Sequence, residues 1–347
     1  MTYLYPVRLE ASLHETIWGG RRFERDGWKA LPPSIAIGEA WETEISTIVQ
    51  NGPYTGKTLG ALVDELGVAL LGVQSIAIFG NRFPLLAKFI DANAKLSVQV
   101  HPDDTYASHY ENGKLGKTEF WYILAAEPGA TIVHGFKAPT TRIKVQNAIE
   151  RRTLEDLLHE EFVHAGDVIF VPAGTVHAIG SGVMLYELQE YSDITYRMYD
   201  YGRLTTSGTP RELHIERSLD VSQYDTSARI KFTPTLLASG KGYDERCLVA
   251  CPYFVTREIT FKDTHNLYGY MKCKTSGSCI ILTSLGASSI IRFGHSLKES
   301  EQLSSGQTMI LPADLGNYCI EGSGTLLFSY VPSPDDEAWQ MWKTANT

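Results

Sequence analysis

The residues with the most evident chemical use lie in the segment Ser97-Val98-Gln99-Val100-His101-Pro102. In an extended strand alternate side chains share a face, so Ser97, Gln99 and His101 point one way and Val98 and Val100 the other. Pro102 has no N–H to give a ladder, so it ends the strand and leaves His101 at a rim. Glu119 opens the next strand-like run, Lys117-Thr118-Glu119-Phe120-Trp121-Tyr122, and His177 stands just beyond the turn at Pro172. Two imidazoles and a carboxylate, joined by an amide oxygen if Gln99 reaches in, form a nitrogen–oxygen ligand set that suits Zn²⁺. Such a set leaves one or two coordination positions open, as a catalytic metal requires.

The elements that must position these groups read as short strands broken by Gly, Pro and Asn/Asp turns, the habit of sandwiches and jelly rolls. Expected strands include Ser97–Val100, Phe120–Leu124, Ala130–Val133, Asp167–Val171 and Met184–Leu188, then Tyr253–Phe261, Cys279–Leu282, Ser288–Phe293, Thr308–Leu311 and Thr325–Tyr330. Helical spacing predicts one helix over Thr58–Leu66, with Thr58 as its N-cap, and two short helices between Thr140 and Phe162, joined near Arg152–Thr153. The chain also repeats itself. Gly166-Asp-Val-Ile-Phe-Val-Pro172, leading through a short turn to His177 and Gly182, aligns without gaps on Gly306-Gln-Thr-Met-Ile-Leu-Pro312, leading to Asn317 and Gly322. Two strand–Pro–turn units at matched spacing point to two related β domains. Asn317 replaces His177 in the second copy, so only the first has the ligands for a metal. The boundary is expected near residues 232–245, giving domains over 1–238, with a helical insertion at about 140–162, and 239–347.

The 347 residues suffice for one large domain or two ordinary ones. A formal charge of −9 argues against a nucleic-acid surface. No apolar stretch approaches the ~20 residues of a membrane span, and the first residues lack the pattern of a signal peptide, so a cytoplasmic protein is expected. The five cysteines, an odd number confined to the last third, read as structural thiols and not as a disulfide framework.

Taken together, Ser97-Val-Gln-Val-His-Pro-Asp-Asp104, Lys117-Thr-Glu119, Val171-Pro-Ala-Gly-Thr-Val-His177-Ala and Ser192-Asp-Ile-Thr-Tyr-Arg197 resemble, in order and spacing, the motifs of type I mannose-6-phosphate isomerases. The stretch Arg197-Met-Tyr-Asp-Tyr-Gly-Arg203 looks like the shorter bacterial form, and Trp18-Gly19-Gly20 and Pro84–Ile90 extend the likeness over nearly the whole chain. The resemblance implies a mainly β fold of two cupin-type jelly-roll barrels with a few short helices. It implies metal ligands at Gln99, His101, Glu119 and His177, with Gln99 either bound directly or standing back. It matches the family's active-site arginine to Arg197 and its phosphate- and sugar-contacting groups to Ser97, Lys88 and Lys117.

The implied reaction interconverts D-mannose 6-phosphate and D-fructose 6-phosphate through an enediolate, which needs a base at carbon and stabilisation of charge on oxygen. Glu187, Gln189, Asp193, Thr195 and Arg197 are all odd-numbered, so an unbroken strand would aim them at one face. Glu187 and Asp193 are the base candidates. Arg197 can fork to an anionic oxygen, Lys117 can hold phosphate or move a proton at oxygen, and Lys88, inside an apolar run, requires a buried partner. Trp18 can wall the sugar pocket. Two other readings remain compatible with this ligand set: an iron oxygenase, and a sugar-binding protein whose metal is only structural.

Overall fold

The computed structural model describes residues 3–205, 207–225, 231–240, 242–262, 269–275, 277–286 and 288–346. The turn-punctuated runs fold as antiparallel strands in four sheets, so the fold is mainly β with a few short helices. A seven-stranded sheet has the order Lys231–Phe232, Val168–Val171, Glu119–Ala126, Val183–Glu190, Leu85–Ala92, Ile37–Trp41, Ser12–Gly20. A five-stranded sheet has the order Tyr196–Tyr199, Val98–Val100, His177–Ile179, Thr131–Phe136, Leu158–Phe162. The later chain builds a sheet of eight strands and one of four.

Strand parity decides how these layers stack. Leu85–Ala92 and Val183–Glu190 are buried at every position, which a strand achieves only when its sheet is covered on both faces. On one face Ile90, Trp121, Ile123 and Leu185 meet Ile132 and Ile179 of the five-stranded sheet. On the other, Phe89, Phe120, Tyr186 and Leu188 join Leu282, Met309 and Phe328 of the eight-stranded sheet. The five-stranded sheet is also two-sided. Its outward residues Val98, Val100, Val133, Ala178 and Tyr196 pack against Ala107, Val145, Ile149 and Leu219 from short helices.

The internal repeat is a repeat of structure. Gly166 and Gly306 both adopt positive φ, 93° and 70°, a turn that glycine makes without steric cost. Each is followed by a strand, Val168–Val171 or Thr308–Leu311, and then by a crossing to another sheet, as His177–Ile179 or Asn317–Gly322. His177 is buried, whereas Asn317 is exposed.

The sheets change over between Lys231–Phe232, which pairs with Val168–Val171, and Thr235–Ser239, which pairs with Tyr243–Ala250. The first strand, Val7–Glu10, pairs with Thr308–Leu311 on one side and Ile48–Val49 on the other, so the start of the chain completes a sheet of the later half.

Two helical expectations fared differently. Leu59–Leu66 is a helix, and the Thr58 hydroxyl accepts from the Ala61 N–H at 3.1 Å as an N-cap. Between Thr140 and Phe162 only Arg142–Glu150 is an α-helix, capped by Thr141. The expected second helix is a 3₁₀ turn, Leu154–Leu157, running into an edge strand, Leu158–Phe162. Arg152 takes a left-handed φ of 58° and breaks the helix. Leu154 and Leu158 still bury into the same core, so their spacing is met without a helix. The five cysteines are free, and four of them are buried.

Candidate active site and metal centre

Between the seven- and five-stranded sheets, inward-facing polar residues come from both walls. On the five-stranded sheet Arg197, Gln99, His177 and His134 lie in one row of directly paired positions. On the facing sheet Lys88, Glu187 and Trp121 form a row, and Glu119 pairs with Gln189. His101 follows the Val98–Val100 strand at its rim, as the proline after it predicts.

His101, Glu119 and His177 are all buried, and their ligand atoms lie within 4.8 Å of one another. Each imidazole is held by its far nitrogen. His101 Nδ1 donates to the Ile194 carbonyl at 2.7 Å, and His177 Nδ1 donates to the Thr175 carbonyl at 2.9 Å. These bonds set the tautomers and turn both Nε2 lone pairs inward, the arrangement that orients a metal-binding histidine. His177 Nε2 lies 3.4 Å from Glu119 Oε1, and His101 Nε2 lies 3.5 Å from Glu119 Oε2. Glu119 Oε1 is buried with no hydrogen-bond donor among the described residues.

The cluster therefore calls for a positive centre, and the Lys117 ammonium answers part of that need, 2.6 Å from Glu119 Oε2 and 3.0 Å from His101 Nε2. Burial holds His101 well below the usual histidine range and lowers His177 to about 3, so both rings are neutral and able to ligate. Burial and the charge of Glu187 push Glu119 up to about 7. A buried acceptor set of two neutral imidazoles and a carboxylate, one of its oxygens orphaned, fits a divalent metal. Gln99 stands next to it, its amide nitrogen 3.3 Å from His177 Nε2.

Beside this centre lies a cavity lined by Trp18, Lys88, Ser97, Gln99, Lys117, Glu187 and Arg197. Lys88 has the buried partner its apolar run requires. Its ammonium lies 3.3 Å from Glu187 Oε1 and 3.6 Å from Glu39 Oε2, and 4.5 Å from the centre of the Trp41 ring. Trp121 Nε1 donates to Glu187 Oε2 at 2.9 Å. Burial alone would raise the pKa of Glu187, but Lys117 and Lys88 hold it below its ordinary value, so it is a buried, ionised carboxylate. Trp18 fits because Gly38 lies under its ring. A Cβ at Gly38 would come within 2.6 Å of that ring and 2.1 Å of Thr16 Oγ1.

Asp193 requires correction: the structure does not bring it to this cavity. Its carboxylate is 62% exposed, pairs with Lys114 at 2.8 Å and borders a separate depression with Trp41, Ile45 and Leu115. The strand ends at Glu190, and a tight turn follows in which the Ser192 N–H donates to the Glu190 carbonyl. That turn ends the alternation on which the expectation rested. Two charged lining residues, Glu39 and Arg211, were missed by sequence reasoning. Glu39 shares a strand with Trp41, whose indole N–H bonds to it, and that polar–aromatic alternation was its only local signal. Nothing local marks Arg211.

A mainly β fold with a buried His/Glu/His cluster that could hold a metal, beside a cavity rich in lysine and arginine, is that of a cupin-type protein. Residues 7–121 match the family described as phosphomannose isomerase type I, catalytic domain. The chain is 35% identical over 333 residues to the mannose-6-phosphate isomerase of Streptococcus mutans, covering 94% of this chain and 98% of that one. It is 34% identical over 337 residues to mannose-6-phosphate isomerase ManA of Bacillus subtilis, covering 94% and 99%. Its structure superposes on the crystal structure of the mannose 6-phosphate isomerase from B. subtilis with a TM-score of 0.81 at 33% identity, covering 93% of this chain and 99% of that one. The chain belongs to the type I mannose-6-phosphate isomerase family and is an aldose–ketose isomerase. Among the described residues no helix is long and apolar enough to cross a membrane.

Proposed function

We propose that this protein interconverts D-mannose 6-phosphate and D-fructose 6-phosphate, with one Zn²⁺ held by His101, Glu119 and His177 and with Gln99 beside it. The observation that carries the reading is the meeting of two sets of groups in one place, a buried acceptor cluster and a cavity with an ionised carboxylate, Glu187, and four cationic side chains, Lys88, Lys117, Arg197 and Arg211. Zn²⁺ at this centre would supply Lewis-acid stabilisation of charge developing on the sugar's C1 and C2 oxygens. Glu187 is the proposed base in preference to Asp193. It takes the proton from C2 of the open-chain aldose and returns it to C1, and reverses this in the other direction. Trp121 and Lys88 fix its two oxygens, so little reorganisation is needed when the proton moves. Lys117 moves or holds the proton at the sugar oxygens, and Arg197 compensates negative charge at the mouth. Ser97 and Trp18 shape the sugar pocket.

The same reading assigns the catalytic unit to residues 1–238 and leaves 239–347 without a metal, supported by the exposed Asn317 at the position of His177. Five unpaired thiols support a reducing compartment, the cytoplasm. The test is a coupled isomerase assay over a panel of hexose and pentose phosphates with metal analysis of the same preparation. Turnover of mannose 6-phosphate with one zinc per chain is expected, and absence of turnover by the zinc-loaded protein refutes the proposal.

A further inference from the structure

At the outer end of the cavity three guanidinium groups, of Arg197, Arg203 and Arg211, gather near one carboxylate, Asp200, and two of them bind it. Asp200, whose side chain is 6% exposed, accepts from Arg211 Nε at 2.8 Å and Nη2 at 2.6 Å, and also binds Arg203. Arg197 forms no ion pair with any described residue. Its Nε donates to Ser97 Oγ at 3.2 Å and its Nη1 to the Glu212 carbonyl at 2.9 Å. The Glu212 carboxylate makes no ion pair with it, being 83% exposed and 3.9 Å from His214 Nε2. Burial and the neighbouring Arg211 lower the pKa of Arg197, against the opposing pull of Asp200 and Glu212.

The backbone builds this arrangement. Tyr201 and Gly202 both take left-handed φ, 57° and 69°, a turn that brings Asp200 and Arg203 together. Tyr201 pays a steric penalty there, which such segments tolerate when the surroundings hold them. The Arg203 guanidinium lies over the Tyr201 ring at 5.2 Å. The segment carrying Arg211 is clipped to the strand carrying Arg197 by two bonds, His214 N–H to the Arg197 carbonyl at 2.8 Å and Arg197 N–H to His214 Nδ1 at 3.2 Å. Arg197 and Arg211 therefore line one cavity from two tied segments.

We propose that Arg211, oriented by Asp200, reads the phosphate group of the substrate together with Arg197. This rests on the sugar-phosphate reading above. One carboxylate among three guanidiniums leaves a surplus of two positive charges, which suits a phosphate near its dianionic form. Nε and Nη2 of Arg211 are committed to Asp200, and Nη1, bonded to no described residue, is left for the ligand. Asp200 is a positioning residue and touches no substrate.

The experiment compares wild type, Arg211→Ala and Asp200→Asn in steady-state kinetics with mannose 6-phosphate and in calorimetric binding of inorganic phosphate. Arg211→Ala should raise KM and weaken phosphate binding by about tenfold or more, the loss expected for a charge-assisted bond, while kcat stays within about threefold. Asp200→Asn, which keeps all three arginines, should move the same two quantities in the same direction by less. Unchanged KM and phosphate binding in Arg211→Ala would overturn the assignment, as would a fall in kcat at constant KM. If Arg211→Ala does not fold, phenylglyoxal labelling of wild type carries the test. Inorganic phosphate should protect Arg211 where mannose does not, and equal labelling in both overturns the assignment. A wild type that binds phosphate through Arg211 but does not turn over mannose 6-phosphate would sink the isomerase reading and leave the anion site standing.

Discussion

Lys88 and Glu187 sit directly opposite each other on neighbouring antiparallel strands, their charged ends 3.3 Å apart and both almost closed to solvent. A charge pair at this depth stabilises little against a well-packed apolar pair, because both groups must lose their hydration. Its place beside Ile90, Trp121 and Leu185, at the edge of the cavity, makes sense for chemistry. Glu187→Gln keeps the shape and removes the base. We predict a fall in kcat of roughly 10²–10⁴-fold, the usual contribution of a positioned acid–base group, with bound metal unchanged. Near-normal turnover would take Glu187 out of the mechanism.

Metal removal should act on stability as well as rate. A metal that binds only the folded chain shifts unfolding by mass action, so a chelator should abolish turnover and lower the melting temperature, and added Zn²⁺ should restore both. His177→Ala should lower the metal content, because it removes a ligand whose tautomer is already set by the Thr175 carbonyl. A chelated protein that melts and turns over like the untreated one would contradict the assignment.

Glu190 lies outside the cavity but gives the fold a pH dependence. Burial and the neighbouring Asp104 push its pKa from 4.5 up to about 8, while its Oε1 accepts from the Thr118 N–H. Between pH 4.5 and about 8 the folded chain holds a proton here that the unfolded chain releases. Its contribution to stability is therefore greatest below pH 4.5 and falls as pH rises through that window, by at most about 1.4 kcal/mol per unit. Glu190→Gln should raise the melting temperature more at pH 8 than at pH 5. Equal shifts at the two pH values, recorded by calorimetry, would contradict the buried neutral carboxyl.

The first strand should matter to the later half of the chain. Val7 is 1% exposed and pairs with Ile310. Val7→Asp places an unpaired carboxylate in that core, at a cost of about 3 kcal/mol or more. The urea midpoint should fall accordingly, while the folded fraction keeps its metal. An unaltered midpoint would mean that this strand contributes little.

What the sequence by itself determined is local or repeated. Alternation put Gln99 on an inward face and Pro102 left His101 at the rim, because a strand's period of two is a backbone property that needs no partner. The matched Gly–strand–Pro units were legible because both copies solve the same crossing between sheets, and the exchange of His177 for Asn317 marked which copy could hold a metal. Tertiary structure decided the rest. Parity failed at Asp193 because a turn stabilised by Ser192 ended the alternation, and Leu154 and Leu158 reached one core by a 3₁₀ turn and an edge strand where spacing suggested a helix. Glu39 and Arg211 entered the cavity from segments outside the metal motifs, and Val7–Glu10 closed onto a strand some three hundred residues away. Register and sheet order depend on which faces the whole chain buries together, and no window of neighbouring residues carries that information.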